Sequence, residues 1–237
     1  MAVSRETSAE IRKGLGDIWL VGLGLIPLGL AFGLLMTQSG FAWWWTPIFS
    51  TVIYAGSMEF VALNMVLGGV GPLSAAVTGL MVNFRHIFYG LTYPLHLIRS
   101  TPGKVYGTYA LTDETYAVVS ALPRSTRLTG TRLMTIQVVV QLFWVVPGIV
   151  GALVGGIIPP DIEGLDFAVT ALFIVLAYEA FQSSRDLSTV ITAALLGIAS
   201  ALLFPGQLLV VALTAYFVLL LARFWSPRLD NAMGLDI

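Results

Sequence analysis

One short stretch of this 237-residue chain concentrates the polar groups that could do chemistry. It lies in the middle of a long apolar segment and reads Asn83-Phe84-Arg85-His86-Ile87-Phe88-Tyr89-Gly90. On a helix, Arg85 and Tyr89 lie four residues apart on one face, and Asn83 and His86 share an adjoining face. Because a guanidinium keeps its charge, this segment must meet protein or water rather than lipid. Arg85 is therefore either a ligand for an anionic group or the structural partner of a buried carboxylate, and His86 is equally compatible with a packed structural histidine.

Glu59 is a second candidate, because it is the only charged residue between Asp17 and Arg85. It follows Gly56-Ser57, a poor helical step, so the helix is expected to be unwound there and to expose backbone N–H and carbonyl groups. A carboxylate facing lipid is costly, so Glu59 should face the interior of a helix bundle. When protonated it would be a structural hydrogen-bonding group. When ionised it could hold an ammonium group or pair with Arg85, and the sequence leaves both readings open.

The adjacent carboxylates Asp113 and Glu114 form the third feature. On a helix they point about 100° apart, so only one of them can face a given partner. In a loop they would be an ordinary helix cap. Of two further acids, Asp166 is explained by a helix N-terminus and Glu179 is a weaker candidate. The candidate substrate-binding residues are Gly56, Ser57, Glu59, Asn83, Arg85 and Tyr89. The candidate proton-coupling residues are Glu59, His86, Asp113 and Glu114.

The composition sets the class of protein. Hydrophobic residues make up 57% of the chain and charged residues 11%, whereas about 25% of an average soluble domain is charged. The net charge of -1 provides no basic surface for a nucleic acid, so no nucleic-acid partner is predicted. The chain has no cysteine and two histidines. Thiolate metal sites and disulfides are therefore excluded, and no nucleotide loop, serine elbow or zinc-protease helix is present. We predict no metal, no cofactor and no enzymatic activity.

The apolar segments predict an all-α fold, in which residues 1–237 form one polytopic membrane domain of about eight spans, some of them discontinuous. Seven segments are well defined. The segment 106–122 is weaker because Asp113 and Glu114 lie in its centre, so seven spans with a re-entrant element is the alternative. The spans are predicted near 18–37, 44–67, 73–98, 106–122, 133–157, 166–183, 188–204 and 207–223.

The basic residues predict the orientation, because Lys and Arg collect on the cytoplasmic side of a membrane. With eight spans and the N-terminus inside, the outer side holds only Arg99 and Lys104. Both termini are then cytoplasmic, and 38–43, 99–104 and 158–165 face outward. The inner side holds Arg5, Arg12, Lys13, Arg124, Arg127, Arg132, Arg185, Arg223 and Arg228.

Several blocks of the sequence together resemble one family, the AzlC-type branched-chain amino acid exporters. The Arg-His-x-x-Tyr-Gly block (85–90) and the Asp-Glu-Thr block (113–115) are specific in combination. The other blocks are Ile26-Pro27-Leu28-Gly29-Leu30-Ala31-Phe32-Gly33, Tyr54-Ala55-Gly56-Ser57-Met58-Glu59-Phe60 and, more loosely, 165–173. They follow the family's order from residue 26 to 173. Many family members carry Gln where this chain has Glu59.

The resemblance implies export of branched-chain amino acids, and often methionine, driven by the proton motive force across the inner (cytoplasmic) membrane. It also implies a small four-span membrane subunit of the AzlD type as partner. A neutral aliphatic amino acid needs an acid, a base and an apolar pocket, and Glu59, Arg85 and the surrounding apolar residues supply these types. Three alternatives are an ion or small-solute channel, a scaffold subunit, and an intramembrane enzyme that uses His86 with Asp113 or Glu114.

Overall fold

The computed structural model describes residues 5–123, 125–157 and 186–233, together with the single positions 170, 174, 177, 178 and 181. Every regular element in these ranges is helical, which confirms the all-α prediction. The predicted span 166–183, with Asp166 and Glu179, and the outward loop 158–165 lie almost wholly outside the described residues. The helices are α1 (Arg5–Gln38), α2 (Trp45–Val52), α3 (Gly56–Leu67), α4 (Pro72–Asn83), α5 (Arg85–Thr92), α6 (Thr101–Tyr109), α7 (Asp113–Ala121), α8 (Gly130–Gly155), α9 (Leu187–Leu203), α10 (Leu208–Trp225) and α11 (Pro227–Met233).

The chain divides into two compact units, each described here by itself. The first comprises Met1–Phe60 and Phe84–Glu163, and the second comprises Val61–Asn83 and Gly164–Ile237. The organisation of 1–237 as one membrane domain stays a prediction.

The centre of the first unit is the pair α1 and α8, which run in the same direction. Gly14 lies beside Thr135 near the helix starts, and Gly33 lies beside Gly148 near the helix ends. A Cβ added at Gly33 would fall 1.8 Å from the carbonyl oxygen of Gly148, so only glycine permits this approach. Gly151 meets the backbone of Leu30 in the same way. The small residues of these two apolar helices therefore form their contact surface, as small-residue motifs do in membranes.

Ionic contacts join the starts of α1 and α8. Arg132 donates from Nε and Nη2 to the two carboxylate oxygens of Asp17, at 2.6 and 2.8 Å. The hydroxyl of Thr129 donates to Glu10 at 2.6 Å, and Lys13 pairs with the same carboxylate. These groups lie before the long apolar stretch of each helix, so the charges remain close to the membrane surface.

The second unit is built around the hairpin of α9 and α10. A single 3₁₀ turn, Pro205–Gln207, reverses the chain between them, as the Pro-Gly step predicts. Arg223 near the end of α10 pairs with Asp186, the N-cap of α9, at 2.8 Å, and with Asp230 of α11 at 2.7 Å. One guanidinium therefore joins both open ends of the hairpin to the last helix.

Within the part of the chain that the structure describes, three helical stretches are long and apolar enough to cross a membrane, namely Arg5–Gln38, Gly130–Gly155 and Pro205–Trp225. They contain or overlap the predicted spans 18–37, 133–157 and 207–223. Three shorter apolar helices, Gly56–Leu67, Pro72–Asn83 and Leu187–Leu203, cover parts of other predicted spans. The chain is thus a helical membrane protein.

Three predicted spans are broken into shorter helices. The segment 73–98 forms α4 and α5, which end and begin on either side of Phe84, and then a 3₁₀ turn at Leu95–Leu97, so Asn83 and His86 do not share one helix, contrary to the prediction. The segment 44–67 forms α2 and α3, with Ile53, Tyr54 and Ala55 between them, so this span is discontinuous as predicted. The break comes before the Gly56-Ser57 step where it was expected, and these two residues begin α3. The segment 106–122 is not one helix but the nine-residue helices α6 and α7, separated by Ala110–Thr112. Nine residues rise about 14 Å, less than half of the ~30 Å hydrocarbon core, so neither helix crosses alone. The expectation of a continuous fourth span differs from the structure for this reason.

The segment 96–100 also differs from the predicted orientation. One groove of the first unit is lined jointly by Glu6 and Glu10 of α1, by residues 96–100 and by residues 127–131. In addition, Gly130 lies against the carbonyl of Leu97. The prediction put 99–104 on the face opposite to the N-terminus and to Arg127. Residues 96–100 and 127–131 therefore lie at the same end of the α1–α8 pair. The helices between them, α6 and α7, are too short to carry the chain across the membrane.

Cysteine labelling tests this arrangement cleanly, since the native chain has no cysteine. We expect a membrane-impermeant maleimide to label Arg99→Cys and Ser125→Cys in the same vesicle preparation, either inverted or right-side-out, because both residues lie on one side of the membrane. Both positions are exposed on the protein surface. Ser39→Cys, just after the far end of α1, is the control and should react from the opposite side. Labelling of Arg99→Cys from the side that labels Ser39→Cys would contradict the structure.

Candidate functional site

Glu59 is fully buried at the point where α2 and α3 are interrupted. Its exposed fraction is 0%. The hydroxyl of Ser50 in α2 donates to Oε2 at 2.8 Å, and the indole N–H of Trp144 in α8 donates to Oε1 at 2.8 Å. Each carboxylate oxygen therefore has one donor, and both donors are neutral. The carboxyl joins the end of one short helix, the start of the next, and the long helix α8.

Aromatic rings enclose this carboxyl. Phe32 of α1 stacks on Trp144 with ring centroids 6.2 Å apart, and it meets Phe60 edge to face at 5.2 Å. Gly56 leaves room for the indole, since a Cβ there would lie 3.1 Å from Trp144. One turn before Ser50, the hydroxyl of Thr46 is buried without a hydrogen-bond partner among the described residues. The environment is apolar with a few oriented polar groups, which is typical of a small-molecule site.

The partners of Glu59 limit the roles that this carboxyl can have. Arg85 does not pair with it in the structure, because Arg85 is bound to Asp113. A buried carboxyl with neutral donors can hold a proton, or it can balance an added cation. Glu59 is thus arranged for either of the two roles that the sequence left open, structural hydrogen bonding or cation binding.

Arg85 and Asp113 form a second centre, between α5 and α7. The guanidinium donates from Nε to Oδ1 at 2.8 Å and from Nη2 to Oδ2, the two-point geometry that Arg and carboxylate favour. The side chains are 46% and 41% exposed. Asp113 is the first residue of α7, where the helix dipole favours a negative charge, and Thr112 and Thr115 form a reciprocal capping box. The Asp-Glu pair is therefore the start of a helix, and its first residue, Asp113, also binds Arg85.

Tyr89 lies beside this ion pair, as its spacing from Arg85 predicts. Its ring stacks on Tyr116 of α7 with centroids 4.2 Å apart, and His86 meets Tyr89 edge to face at 5.4 Å. The hydroxyl of Tyr116 lies 3.0 Å from that of Thr92. The face of α5 that carries Arg85 and Tyr89 thus packs along the face of α7 that carries Asp113 and Tyr116.

The remaining predicted residues are distributed around these centres. Ser57 lies in the first turn of α3, and Glu114, partly exposed, follows Asp113 in α7. Asn83 ends α4 and belongs to the second unit, so it is described apart from Arg85. Sequence reasoning missed Ser50, Trp144 and Tyr116, the direct partners of its candidates. For Trp144 a signal existed, because a buried indole N–H needs an acceptor.

Among the residues that the structure describes, no group of three or more His, Asp or Glu side chains could hold a metal ion. The polar groups of the two centres are held by hydrogen bonds to Glu59 and by the ion pair of Arg85 with Asp113.

Comparison with known proteins gives the family. The model of the family described as AzlC protein matches residues 21–158. The "Branched-chain amino acid transport protein AzlC" of Bacillus subtilis is 35% identical over 187 residues, covering 78% of this chain and 73% of the Bacillus protein. The "Inner membrane protein YgaZ" of Escherichia coli is 32% identical over 235 residues, covering 94% and 95% of the two chains. No solved structure matches. The chain belongs to the AzlC family of membrane transport proteins.

Proposed function

We propose that this chain exports branched-chain amino acids, namely leucine, isoleucine and valine, with methionine as a further substrate. Export is driven by the proton motive force, with the chain in the inner membrane, both termini cytoplasmic, and a small four-span subunit of the AzlD type as its partner. The observation that carries the proposal is the buried Glu59 at an interrupted membrane helix. The printed name of the Bacillus relative supports the substrate class.

The chemistry of the two centres fits this substrate. A branched-chain amino acid presents an ammonium group, a carboxylate and an aliphatic side chain. Glu59 offers a carboxyl beside the apolar rings of Phe32 and Phe60. Arg85 offers a permanent positive charge, and its side chain is about half exposed. The proposal assigns substrate binding to Glu59 with Gly56 and Ser57 at the helix break, and to Arg85 with Tyr89 at the second centre. Asn83, in the second unit, is a further proposed substrate-binding residue. His86, Asp113 and Glu114 join Glu59 as proton-coupling residues.

Reconstitution tests the proposal. Proteoliposomes that contain the chain and its small subunit are loaded with labelled leucine, and we expect efflux against a concentration gradient when a proton gradient is imposed. A protonophore should abolish the uphill component. Liposomes with the chain alone should transport far less, and labelled lysine serves as a control because its second charge does not suit an apolar pocket.

Two outcomes would contradict the proposal. Leucine flux that only follows its own gradient, whatever the proton gradient, would favour the channel alternative. Full activity of the chain without the small subunit would remove the partner from the mechanism.

A further inference from the structure

Tyr54 occupies the interruption between α2 and α3 in an unusual conformation. Its φ of 43° lies in the left-handed region, which a bulky residue rarely adopts. The side chain is only 5% exposed. Its hydroxyl is buried and has no hydrogen-bond partner among the residues that the structure describes. Because buried polar groups are nearly always paired, this hydroxyl points to a group that binds there.

Two further tyrosines lie against it. The rings of Tyr54 and Tyr109 are 5.5 Å apart, and those of Tyr109 and Tyr106 are 6.0 Å apart. We call Tyr54, Tyr106 and Tyr109 the tyrosine cluster. All three residues come from interrupted segments of the first unit, since Tyr54 lies between α2 and α3 and the other two end α6.

A hydrogen-bond chain fixes two members of the tyrosine cluster. The hydroxyl of Tyr106 donates to Oε1 of Gln141 at 2.7 Å, and Nε2 of Gln141 donates to the Tyr109 hydroxyl at 2.9 Å. The Tyr109 hydroxyl in turn donates to the carbonyl of Thr51, near the end of α2. Both phenolic protons are therefore used within the chain. What the two hydroxyls have left to offer is oxygen lone pairs, so the tyrosine cluster is arranged to accept hydrogen bonds.

Two acidic residues lie close to the tyrosine cluster along the chain. Glu59, in the first turn of α3, follows Tyr54 by five residues, and Glu114, in the first turn of α7, follows Tyr109 by five. Among the described residues, neither Glu59 nor Glu114 forms an ion pair; the ion pairs of the first unit join Lys13 to Glu10, Arg85 to Asp113 and Arg132 to Asp17. The surroundings of Tyr54 therefore provide carboxylates and acceptor oxygens, and a cation would complete them.

We propose that the tyrosine cluster, with Glu59 and Glu114, receives the ammonium group of the transported amino acid in exchange for a proton. This inference rests on the proposed function. The three N–H donors of an ammonium group match the free lone pairs, and its charge is favourable beside aromatic rings. The exchange is balanced: a carboxyl releases its proton to water as the ammonium binds the carboxylate. Proton and amino acid thus compete for one site, which couples their opposite movements.

Removal of one hydroxyl tests the site. Tyr54→Phe keeps the ring and deletes only the unpaired hydroxyl. Tyr93→Phe is a matched control, because Tyr93 is also 5% exposed and its hydroxyl also lacks a partner among the described residues. In proteoliposomes with both subunits, we expect Tyr54→Phe to raise the KM for leucine about tenfold or more, the size of a hydrogen bond to a charged group. Tyr93→Phe should change the KM for leucine by less than about twofold.

Two further readouts address the ammonium and the proton. In the wild-type protein, acidification should raise the KM for leucine, and 4-methyl-2-oxopentanoate, which has the same side chain but no ammonium group, should not compete. Equal effects of the two Phe substitutions, a KM that does not depend on pH, or effective competition by the oxo acid would each overturn the site. Absence of leucine transport by the wild-type complex would instead overturn the proposed function itself.

Discussion

Glu59→Gln is expected to fold and insert normally and yet to lose the pH dependence of leucine efflux. The amide can accept from Trp144 through its oxygen and donate to Ser50 through its nitrogen, so both hydrogen bonds of the carboxyl have replacements. What the substitution removes is the exchangeable proton and the negative charge. Uphill efflux in proteoliposomes should fall at least about tenfold and become flat between about pH 6 and 8. Downhill exchange of leucine should continue but with a higher KM, because the neutral amide does not balance the charge of the ammonium group.

Ser50→Ala is the matched control for this experiment. It removes one donor to the same carboxyl but leaves the carboxyl in place. Efflux by Ser50→Ala should therefore keep its pH dependence, even if its rate is lower. A Gln variant whose pH profile equals that of the wild type would exclude Glu59 from proton coupling and leave His86, Asp113 and Glu114 as the candidates.

Substitution of Arg85 should have the second large effect. Arg85→Lys keeps a positive charge but cannot reproduce the two-point contact of Nε and Nη2 with Asp113. We expect leucine efflux to fall at least about tenfold, with the protein still present in the membrane at normal amounts. Arg85→Ala should be at least as severe, because it also leaves the carboxylate of Asp113 without its partner.

The double variant Arg85→Ala with Asp113→Ala separates two explanations. It removes both charges together, so no unpaired carboxylate remains. If Arg85 serves only to neutralise Asp113, the double variant should recover transport relative to Arg85→Ala. Our expectation is that downhill exchange of leucine, which does not depend on proton coupling by Asp113, stays below about one tenth of the wild-type rate, because the positive charge is needed for the substrate carboxylate. Recovery to near the wild-type rate would make the ion pair purely structural.

Much of the candidate site could be identified from the sequence. Arg85, Glu59 and Asp113 stand out because ionisable groups in long apolar segments are costly and persist only where something compensates them. A break near Gly56-Ser57 was also predictable, since Gly-Ser steps weaken a helix, but the structure places it at 53–55 and begins α3 at Gly56. Which carboxylate pairs with Arg85 was not predictable. Glu59, Asp113 and Glu114 were all candidate partners, and the sequence does not contain their distances from Arg85.

For the long helices, too, the sequence predicts the elements but not the contacts between them. Apolar runs of sufficient length predicted α1 and α8. That α1 meets α8, in the same direction and through Gly33 and Gly151, depends on residues more than a hundred positions apart. Local composition carries no information on such a pairing.

The sequence by itself determined the class of protein, the helical elements and the small set of charged residues that must be compensated. These follow from transfer energies and hydrogen-bond requirements of the chain in an apolar medium, which act on each segment separately. Only the tertiary structure decided that Asp113 pairs with Arg85, that Ser50 and Trp144 bind Glu59, and that 106–122 is two short helices. The physical reason is that a hydropathy pattern measures how long a segment stays apolar. Whether the chain continues or turns back is determined by backbone breaks and partner side chains supplied from elsewhere in the fold.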